Sequence, residues 1–564
     1  MDLHLSGAAA TDLERQAVES ILGPAEPDGS RVIRGGQLER ERRHLLLPAL
    51  HALQDTVGWI SRGATDHLAE RLSVAPAEIF GVASFYHLLA TSPQPPLAVH
   101  VCDDVACLAA GAGELLRELE ASGVEFERSP CLGQCEHGSA ALVRRAGGEQ
   151  DRIDAAVAPV TAGQVLGFLR GDAVPAPNPA PLGPPPELRA LRRAVELGPD
   201  GVLAELVRSR LVGRGGAAFS TARKWEAVAR SPLQPHYVVC NADESEPGTF
   251  KDRHLLELEP FAVLEAMLIC MLATGSRQGF VYIRDEYPVA RARIFSAIGA
   301  LRADGRLGGD LDLELRRGAG AYVCGEETSL FNSLEGRRGE PRNRPPFPVE
   351  RGLFGRPTVI NNVETLVDVL RILTEGGESF ASLGTPESAG TKLFCVSGAV
   401  QKPGVYDVEF GTTLRQLLDL AGGVRTGHRL QAMLLGGAAG MLVGPSRLDL
   451  PLTIEATREA GLTIGSGAVV VFDETADLGE VVLRIARFFR EESCGQCVPC
   501  RVGTVRQEEA LRRLFAGRPL GSREEELGRL RDVAQVMRDA SICGLGQTAA
   551  NAVQSALSGL LEGV

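Results

Sequence analysis

Three cysteines with two residues between successive members lie near the C-terminal end of the 564-residue chain. Cys494, Cys497 and Cys500 stand in the stretch ESCGQCVPCRVGT. Thiolates at this C-x-x-C-x-x-C spacing can surround one [4Fe–4S] cluster. A disulfide framework would leave one of the three unpaired. Zinc would need a fourth ligand, and Cys543 in ASICGLGQ suits either metal. The spacing favours a [4Fe–4S] cluster over zinc.

A second group of cysteines has a different spacing, C-x4-C followed later by C-x3-C. The pattern predicts a strand in LAVHVC, a helix in GAGELLRELEAS and a second strand in GVEFERSPC. Both cysteine pairs fall where a strand gives way to a loop, so two loops can present four thiolates to a [2Fe–2S] cluster. Two disulfides or a zinc site are the alternatives, and the spacing favours the cluster. The four cysteines are Cys102, Cys107, Cys131 and Cys135.

Polar and glycine-rich loops recur at three predicted strand-to-helix junctions between residues 200 and 380. Glycine lets backbone N–H groups approach a phosphate closely, and polar groups at strand ends are typical of ligand sites in α/β sheets. A structural turn or a solvated acidic loop is the alternative for each one. Together they predict a shared phosphate- and ring-binding pocket. The residues are Gly213, Gly215, Gly216, Asn241, Asp243, Glu244, Glu246, Glu326, Glu327, Asn361 and Asn362.

The composition indicates a soluble, acidic, multidomain protein that binds metal. A formal net charge of −13 argues against a nucleic-acid interface. The first residues lack a cationic region followed by an apolar core, so we expect no signal peptide. The most apolar predicted helix, residues 261–274, is too short to span a bilayer and carries Glu265. Twelve cysteines without an export signal predict a cytoplasmic, reducing location.

Periodicity predicts the elements that must position these residues. Residues 40–90 fit three short helices, with Pro76 near the start of one. The prolines of GDAVPAPNPAPLGPPP predict an extended linker. Residues 391–472 fit a small mixed β-sheet wrapped on one helix, and the chain is predicted to be helical from Gly479 onward. The fold class is therefore multidomain α/β.

Several long segments resemble the NADH-binding flavoprotein subunit of respiratory complex I and its relatives. They are GRGGAAF, NADESEPGTFKDR, GAGAYVCGEETSL, INNVETL, VSGAVQKPGVYDV, ESCGQCVPCRVGT and ICGLG. SVAPAEIFGVASFYHLL, VCDDVAC and CLGQC resemble its thioredoxin-like [2Fe–2S] partner subunit. Such fusions are similar to the diaphorase subunits of NAD-dependent formate dehydrogenases and of NAD-reducing hydrogenases. The short gap between the N-terminal cysteine pairs and the reading MRDASICGLGQ favour the formate dehydrogenase type.

The resemblance implies six regions. They are an N-terminal helical bundle (1–92), a thioredoxin-like [2Fe–2S] domain (93–170), a proline-rich linker (171–188), a Rossmann-like FMN- and NAD-binding domain (189–385), a β-grasp-like domain (386–474) and a helical [4Fe–4S] domain (475–564).

The resemblance also implies roles for the loops. Gly213, Arg214, Gly215, Gly216 and Lys224 are expected to hold the FMN phosphate and ring, and Asn241, Asp243 and Glu244 the isoalloxazine and ribityl region. Gly325, Asn361 and Asn362 are expected to close the pocket. Phe219 and Phe347 are expected to stack on the nicotinamide nucleotide. Glu246, Glu326 and Glu327, with Arg344, line the dinucleotide site, and the carboxylates disfavour the 2′-phosphate of NADP.

Three positions depart from the family pattern. Ala218 stands where glycine is usual, Arg344 where relatives can carry lysine, and Ala227 where some relatives place an aromatic residue. Cys543 is implied as the fourth ligand of the [4Fe–4S] cluster. The remaining cysteines, Cys240, Cys270, Cys324 and Cys395, lie in apolar runs and are predicted to be buried core residues.

The predicted function is hydride transfer between NAD(H) and FMN, followed by single-electron steps to the clusters. No side chain is expected to act as acid or base. The predicted partner, in a hetero-oligomer without membrane insertion, is a molybdopterin-containing, formate-oxidising subunit with molybdenum or tungsten. A nickel–iron hydrogenase and complex I are the alternatives. A structural subunit that has lost its cofactors is a rival, and the presence of all eight cluster cysteines argues against it.

Overall fold

The computed structural model describes residues 3–24, 40–175 and 181–561. The predicted linker lies partly outside these ranges. The helix Ala162–Arg170 ends directly before the predicted linker. The helix Arg189–Ser209, which is kinked at Gly198, begins directly after the linker.

The N-terminal region is a helical bundle, as the periodicity of residues 40–90 predicts. Its three expected helices are Leu46–Val57, Arg62–Leu72 and Pro76–Ala83, and Pro76 occupies the first turn, where no N–H is needed. A further helix, Asp12–Leu22, was not predicted, although it starts with a capping box between Thr11 and Glu14. A 3₁₀ turn, Arg42–Leu45, precedes the bundle.

A four-stranded sheet with the order β2-β1-β3-β4 follows. Its strands are β1 (Ala98–Cys102), β2 (Glu127–Ser129), β3 (Ala141–Arg145) and β4 (Ile153–Val157), and only β1 and β2 pair in parallel. The helices Val105–Ala109, Ala112–Ser122 and Ala162–Arg170 complete this region. The sequence predicted β1, one helix and a longer version of β2. The five-residue strands β3 (ALVRR) and β4 (IDAAV) were missed because neither alternates apolar and polar residues.

The central region contains a parallel sheet with the order β7-β6-β5-β8. Its strands are β5 (Tyr237–Ala242), β6 (Gln278–Ile283), β7 (Asp312–Arg317) and β8 (Thr358–Asn362). β5 and β6 read as apolar runs because helices cover both sheet faces. The helices are Arg189–Ser209, Thr221–Ala229, Lys251–Leu258, Pro260–Thr274, Pro288–Ala303, Glu327–Leu334, Pro348–Arg351, Val363–Glu375 and Gly377–Ala381, with 3₁₀ turns at Tyr322–Gly325 and Leu353–Gly355.

The pairing of β5 with β8 decides where the polar residues meet. Cys240 lies opposite Asn361, and Asn241 lies opposite Asn362. Since the two strands are parallel, their carboxyl ends, and the loops that follow them, share one edge of the sheet. Over the residues that the structure describes, none of its helices has the length and apolar content needed to cross a bilayer.

The next region is a mixed five-stranded sheet, β10-β9-β13-β11-β12. Its strands are β9 (Thr391–Gly398), β10 (Gly404–Glu409), β11 (Leu430–Leu435), β12 (Met441–Val443) and β13 (Ala468–Asp473). The predicted helix is Leu414–Leu420. A second helix, Ile454–Glu459, and a 3₁₀ turn, Pro445–Arg447, were not predicted.

The C-terminal region is helical, as predicted. Asp477 caps its first helix and a Ser522–Glu525 capping box starts its third. The helices are Leu478–Glu491, Val498–Phe515, Arg523–Ala540, Gly544–Thr548 and Asn551–Leu557.

Charged side chains join the thioredoxin-like sheet to its neighbours. Arg284 donates from Nη2 to the carbonyl of Cys131 at 2.6 Å, and Arg253 donates from Nε to the carbonyl of Gly133 at 2.9 Å. On the other side, Arg484 of the C-terminal region pairs with Asp103 at 2.8 Å. The cysteine loop 131–135 is therefore held against the central region.

Candidate functional site

The glycine-rich loop 213–216 lies against β8. A Cβ on Gly215 would stand 3.2 Å from the Cβ of Asn362, and Gly216 has a φ of +115°, which other residues rarely adopt. Ser220 then caps the helix Thr221–Ala229. Ala218 has a φ of +50°, which gives a physical reason for the glycine that relatives usually carry at this position.

The helix Thr221–Ala229 sends two side chains to the end of the parallel sheet. Lys224 donates from Nζ to a carboxylate oxygen of Glu327 at 2.6 Å and to the carbonyl of Ile360 at 2.9 Å. Trp225 donates from Nε1 to Oδ1 of Asn361 at 2.8 Å. Residues of three predicted loops therefore meet at one place.

A further contact joins the loop after β5 to the second glycine cluster. Asn241 donates from Nδ2 to the carbonyl of Gly325 at 2.8 Å. A Cβ on Gly325 would lie 3.3 Å from the carbonyl oxygen of Asp243, tighter than most such contacts. The structure thus brings together the loops that the sequence predicted to share a pocket. The donor set of glycine N–H groups, one lysine and asparagine amides suits a phosphate and a flat polar ring.

The side chain of Arg214 lies outside this cradle. It is 1% exposed, donates to Asp368 at 3.1 Å and to the carbonyl of Ala389 at 2.8 Å, and lies 4.8 Å from the Phe410 ring centroid. Its guanidinium is used between the central region and the β9–β13 sheet, so the expected part of Arg214 in holding FMN would fall to its backbone and stays a prediction. Only its backbone stays beside the glycines.

Buried carboxyl groups follow β5. Burial raises the pKa of Asp243 and of Glu244 to about 8 and that of Glu246 to about 7. Both carboxylate oxygens of Glu244 accept backbone N–H groups, from Asp252 and Arg253, at 2.9 Å. Glu244 therefore orders the helix Lys251–Leu258, and its expected contact with FMN stays a prediction.

Glu246 has a partner that the sequence patterns did not predict. Tyr322 donates from its hydroxyl to Glu246 at 2.5 Å, and the backbone N–H of Ala439 donates to the other oxygen at 2.8 Å. Tyr322 lies in the segment GAGAYVCGEE. Its position beside a glycine cluster was the sequence signal that could have marked it as a residue of the site. Its own backbone N–H donates to Glu492 at 2.8 Å, next to the C-terminal cysteines.

The second acidic pair lies at the start of the helix Glu327–Leu334. Glu326 accepts the N–H groups of Thr328 and Ser329 at 2.9 Å and pairs with Arg344 at 2.7 Å. Arg344 also lies 3.7 Å from Glu327. The expected grouping of Glu326, Glu327 and Arg344 is therefore present.

The two aromatic residues expected to stack on a nucleotide are open to solvent. Phe219 and Phe347 are 50% and 51% exposed. Arg223 lies over the Phe219 ring at 5.8 Å. Exposure leaves both rings accessible to a ligand, and stacking on a nucleotide stays a prediction.

The N-terminal cysteines Cys102, Cys107, Cys131 and Cys135 are all buried, and none forms a disulfide. The Sγ atoms of Cys131 and Cys135 lie 3.3 Å apart. The Cys107 thiol lies close enough to Cys102 to raise the pKa of Cys102 through a hydrogen bond, with burial adding to the rise. A Cβ on Gly133 would lie within 2.6 Å of the Tyr287 ring, so the turn between the last two cysteines needs glycine. Four converging thiols fit a [2Fe–2S] cluster.

Three of the C-terminal cysteines lie at the N-termini of helices. Cys497 and Cys543 occupy the residues before the helices Val498–Phe515 and Gly544–Thr548, and Cys500 lies in the first turn of the former. Helix N-termini favour the negative charge of thiolates. A Cβ on Gly546 would lie 2.9 Å from the Cβ of Cys500, which explains the second glycine of ICGLG.

Cys497, Cys543 and Cys494 all lie close enough to Cys500 to raise its pKa through their charge, so the four thiols face one space. Burial raises the pKa of Cys500 to about 12 and that of Cys543 to about 11. A cluster would have to displace these protons, as metal binding to thiols does. The set of four cysteines fits a [4Fe–4S] cluster. The predicted core cysteines Cys240, Cys270, Cys324 and Cys395 are each at most 1% exposed, which confirms their burial.

Four family models match the chain in an order that agrees with these regions. The thioredoxin-like [2Fe-2S] ferredoxin model matches residues 35–149 and the Nuo51 FMN-binding domain matches residues 206–371. The SLBB domain matches residues 393–440, and the iron–sulfur binding region of NADH-ubiquinone oxidoreductase-F matches residues 480–560.

Relatives of two kinds match. The F subunit of NADH-quinone oxidoreductase from Mycobacterium tuberculosis is 43% identical over 380 residues, which cover 65% of this chain and 85% of the relative. The alpha subunit of the NAD-reducing hydrogenase HoxS from Cupriavidus necator is 35% identical over 565 residues, 92% of each chain. A crystal structure of an NAD+-reducing [NiFe]-hydrogenase in the air-oxidized state matches with a TM-score of 0.80 at 34% identity, over 92% of this chain and 93% of that one.

Proposed function

This chain belongs to the family of NADH-binding flavoprotein subunits found in complex I and NAD-reducing hydrogenases, and from that premise we propose that it works as a diaphorase. It is an NAD-dependent oxidoreductase with FMN-binding, [4Fe–4S] and thioredoxin-like [2Fe–2S] regions on one polypeptide. The proposed task is to pass electrons between NAD(H) and a metal centre in a partner subunit.

The observation that carries the proposal is the meeting of the loops at the ends of β5 and β8. Bound there, FMN would exchange a hydride with NAD(H) and single electrons with iron–sulfur clusters. Glycines 213, 215 and 216 and Lys224 are proposed to bind its phosphate, and Asn241, Asp243, Gly325, Asn361 and Asn362 its ring and ribityl chain. The side chains thus bind and orient two rings, and no group of this chain is assigned a proton in the hydride step.

The nucleotide site is proposed to lie over the same edge. Phe219 and Phe347 offer exposed rings for stacking. Glu246, Glu326 and Glu327 are proposed to accept hydrogen bonds from ribose hydroxyls, and the charge of Glu326 and Glu327 disfavours a 2′-phosphate. Arg344 is proposed to hold Glu326 in place through their 2.7 Å contact.

A direct test compares flavin retention and reduction in two variants. Lys224→Ala removes a lysine that contacts both Glu327 and the carbonyl of Ile360 on β8. We therefore expect FMN affinity to fall by at least about tenfold, the effect of losing a charge-assisted contact. Lys402→Ala, at an exposed lysine, should leave it unchanged. The wild-type flavin absorbance should bleach on anaerobic addition of NADH. An isolated, flavin-loaded chain whose absorbance NADH leaves untouched would contradict the proposal.

For the partner we propose a formate-oxidising subunit with molybdenum or tungsten. The short gap between the N-terminal cysteine pairs and the segment MRDASICGLGQ around Cys543 support this proposal. A nickel–iron hydrogenase is the second candidate. The relative and the crystal structure that match along 92% of this chain favour it. Complex I is supported by relatives that match over about two thirds of the chain.

Metal analysis of the complex that copurifies with this chain separates these partners. Molybdenum or tungsten with formate-dependent NAD+ reduction supports the first candidate. Nickel with hydrogen-dependent NAD+ reduction supports the second. A complex whose other subunits include membrane proteins and whose only added metal is iron supports the complex I assignment.

A further inference from the structure

Two histidines and a glutamate meet where the N-terminal helices join the thioredoxin-like sheet, and none of the eight cluster cysteines belongs to this group. His87 follows the helix Pro76–Ala83, His100 lies on β1 and Glu127 begins β2. One ligating atom from each lies within 4.8 Å of the other two. The Nδ1 atom of His100 is 3.1 Å from the Glu127 carboxylate, close to the separation of neighbouring ligands around one ion.

Backbone contacts place these residues. β1 and β2 pair in parallel with His100 opposite Glu127, so the two side chains project from the same side of the sheet. The backbone N–H of His87 donates to the carbonyl of Gly320 at 3.0 Å, and its ring centroid lies 6.0 Å from that of His100. The arrangement therefore does not depend on the three side chains holding one another.

Within the described residues, the His100–Glu127 pair has no charged partner outside the group. His100 is 6% exposed, and its buried Nδ1 contacts the Glu127 carboxylate at 3.1 Å without forming a hydrogen bond of good geometry. In the part of the chain that the structure describes, no lysine or arginine pairs with Glu127. The three residues line a cleft of about 160 Å³, which has room for an ion and its water ligands.

A second group of similar composition lacks these properties. His428, Asp473 and Glu474 also lie within 4.8 Å of one another. There, however, Arg425 donates to Oδ2 of Asp473 at 2.5 Å, and Thr475 donates to Oδ1 at 2.6 Å. A cation would have to displace the guanidinium, so this group is an ion pair and serves as a control.

We propose that His87, His100 and Glu127 bind one divalent transition-metal ion of the zinc class, with water completing its coordination toward the cleft. Two imidazoles and one carboxylate form a ligand set that zinc takes in open sites. Imidazole nitrogen also disfavours Mg²⁺ and Ca²⁺, which prefer oxygen ligands. His100 stands two residues before Cys102 on β1, so the ion would lie on the same strand face as that cysteine.

The test uses the full-length chain with flavin and clusters in place. After equilibration with zinc and gel filtration in metal-free buffer, zinc and iron are measured per chain. We expect one zinc per wild-type chain and zinc affinity at least about tenfold weaker in His100→Gln and Glu127→Gln, a loss that even an outer partner of a metal ligand can cause. His428→Gln should retain the wild-type affinity. Iron should be equal in all four proteins.

A second measurement identifies the ligands. Cu²⁺ bound in place of zinc should show electron paramagnetic resonance couplings to the nitrogens of two imidazoles in the wild type and of one in His100→Gln. Glu127 has a 45% exposed side chain, so Glu127→Gln is a variant that folds even if the change at buried His100 does not. The proposal is overturned if wild-type chain retains no zinc, if the variants retain as much as the wild type, or if zinc enters only as iron leaves.

Discussion

At the scale of single residues, Glu246 shows how burial controls charge in the proposed nucleotide site. Burial raises its pKa to about 7, and the hydrogen bond from Tyr322 and the N–H of Ala439 oppose that rise. A carboxyl group that ionises near pH 4.5 in the unfolded chain therefore stays protonated in the folded chain up to about pH 7. The folded state binds the extra proton between these values, so stability falls as pH rises through this window.

Glu246→Gln should remove this pH dependence. The wild type is expected to lose at most about 3 kcal/mol between pH 4.5 and 7 from this group, and the variant to lose none of it. Thermal unfolding of the chain with flavin and clusters bound, at a series of pH values, measures the difference. Glu387→Gln, at an exposed glutamate, is the matched control and should follow the wild type. Parallel pH curves for Glu246→Gln and the wild type would contradict the assignment.

Ala218 provides a test of backbone strain beside the flavin loop. Its φ of +50° costs an L-residue about 1 kcal/mol, which glycine avoids. Ala218→Gly should therefore raise stability by up to about 1 kcal/mol, measured by thermal unfolding, whereas Ala217→Gly, at a neighbour without positive φ, should lower it. If both changes lower stability equally, the strain at residue 218 does not limit this loop.

At the scale of elements, features that depend on residues close in sequence were predictable, and contacts between residues distant in sequence were not. The cysteine spacings and the apolar strand β5 are encoded within a few residues, so the clusters and the sheet edge could be predicted. Tyr322 meets Glu246 across 76 positions, and no local pattern reports such a pair. The direction of the Arg214 side chain was equally hidden, because Asp368 and the Ala389 carbonyl come from later elements.

The packing of two C-terminal helices depends on one glycine. A Cβ on Gly503, in the helix Val498–Phe515, would lie 2.6 Å from the sulfur of Met537 in the helix Arg523–Ala540. Gly503→Ala should push these helices apart, at a cost of about 1–3 kcal/mol, and so disturb Cys500 one turn away. We expect lower [4Fe–4S] occupancy, measured as iron per chain and by the electron paramagnetic resonance of the reduced cluster.

Gly528→Ala is the control on the neighbouring helix. The nearest atom to its added Cβ is the end of Arg531 at 3.9 Å, so the change should raise helix stability by about 0.5–1 kcal/mol without loss of iron. Full iron in Gly503→Ala would show that the helix spacing does not control the cluster.

At the scale of the whole molecule, one buried carboxylate joins three regions. Asp285, whose side chain is fully buried, pairs with Arg291 at 2.5 Å, Arg317 at 2.7 Å and Arg144 at 2.9 Å. Arg144 belongs to β3 of the thioredoxin-like sheet. Arg317, at the end of β7, also reaches Asp55 of the N-terminal bundle at 2.5 Å. Electron transfer from one region to another requires such contacts to keep the regions in fixed relative positions.

Asp285→Asn should uncouple these regions. Burial alone would raise the pKa of Asp285, but Arg317, Arg144 and Arg291 outweigh it and hold that pKa well below the usual range. The pairing therefore stabilises the fold above the ordinary pKa of a carboxyl group and is lost as the pH falls. Removing the charge leaves buried guanidinium groups uncompensated, at a cost of about 3–5 kcal/mol.

We expect thermal unfolding of Asp285→Asn to separate into two transitions near neutral pH, with the [2Fe–2S] signal lost in the earlier one. Asp449→Asn removes an exposed pair with Arg415 and should leave a wild-type profile, because exposed pairs contribute little. The wild type should approach the behaviour of Asp285→Asn only in acid. A single, unshifted transition in Asp285→Asn would mean that apolar contacts alone hold the N-terminal regions against the flavin domain.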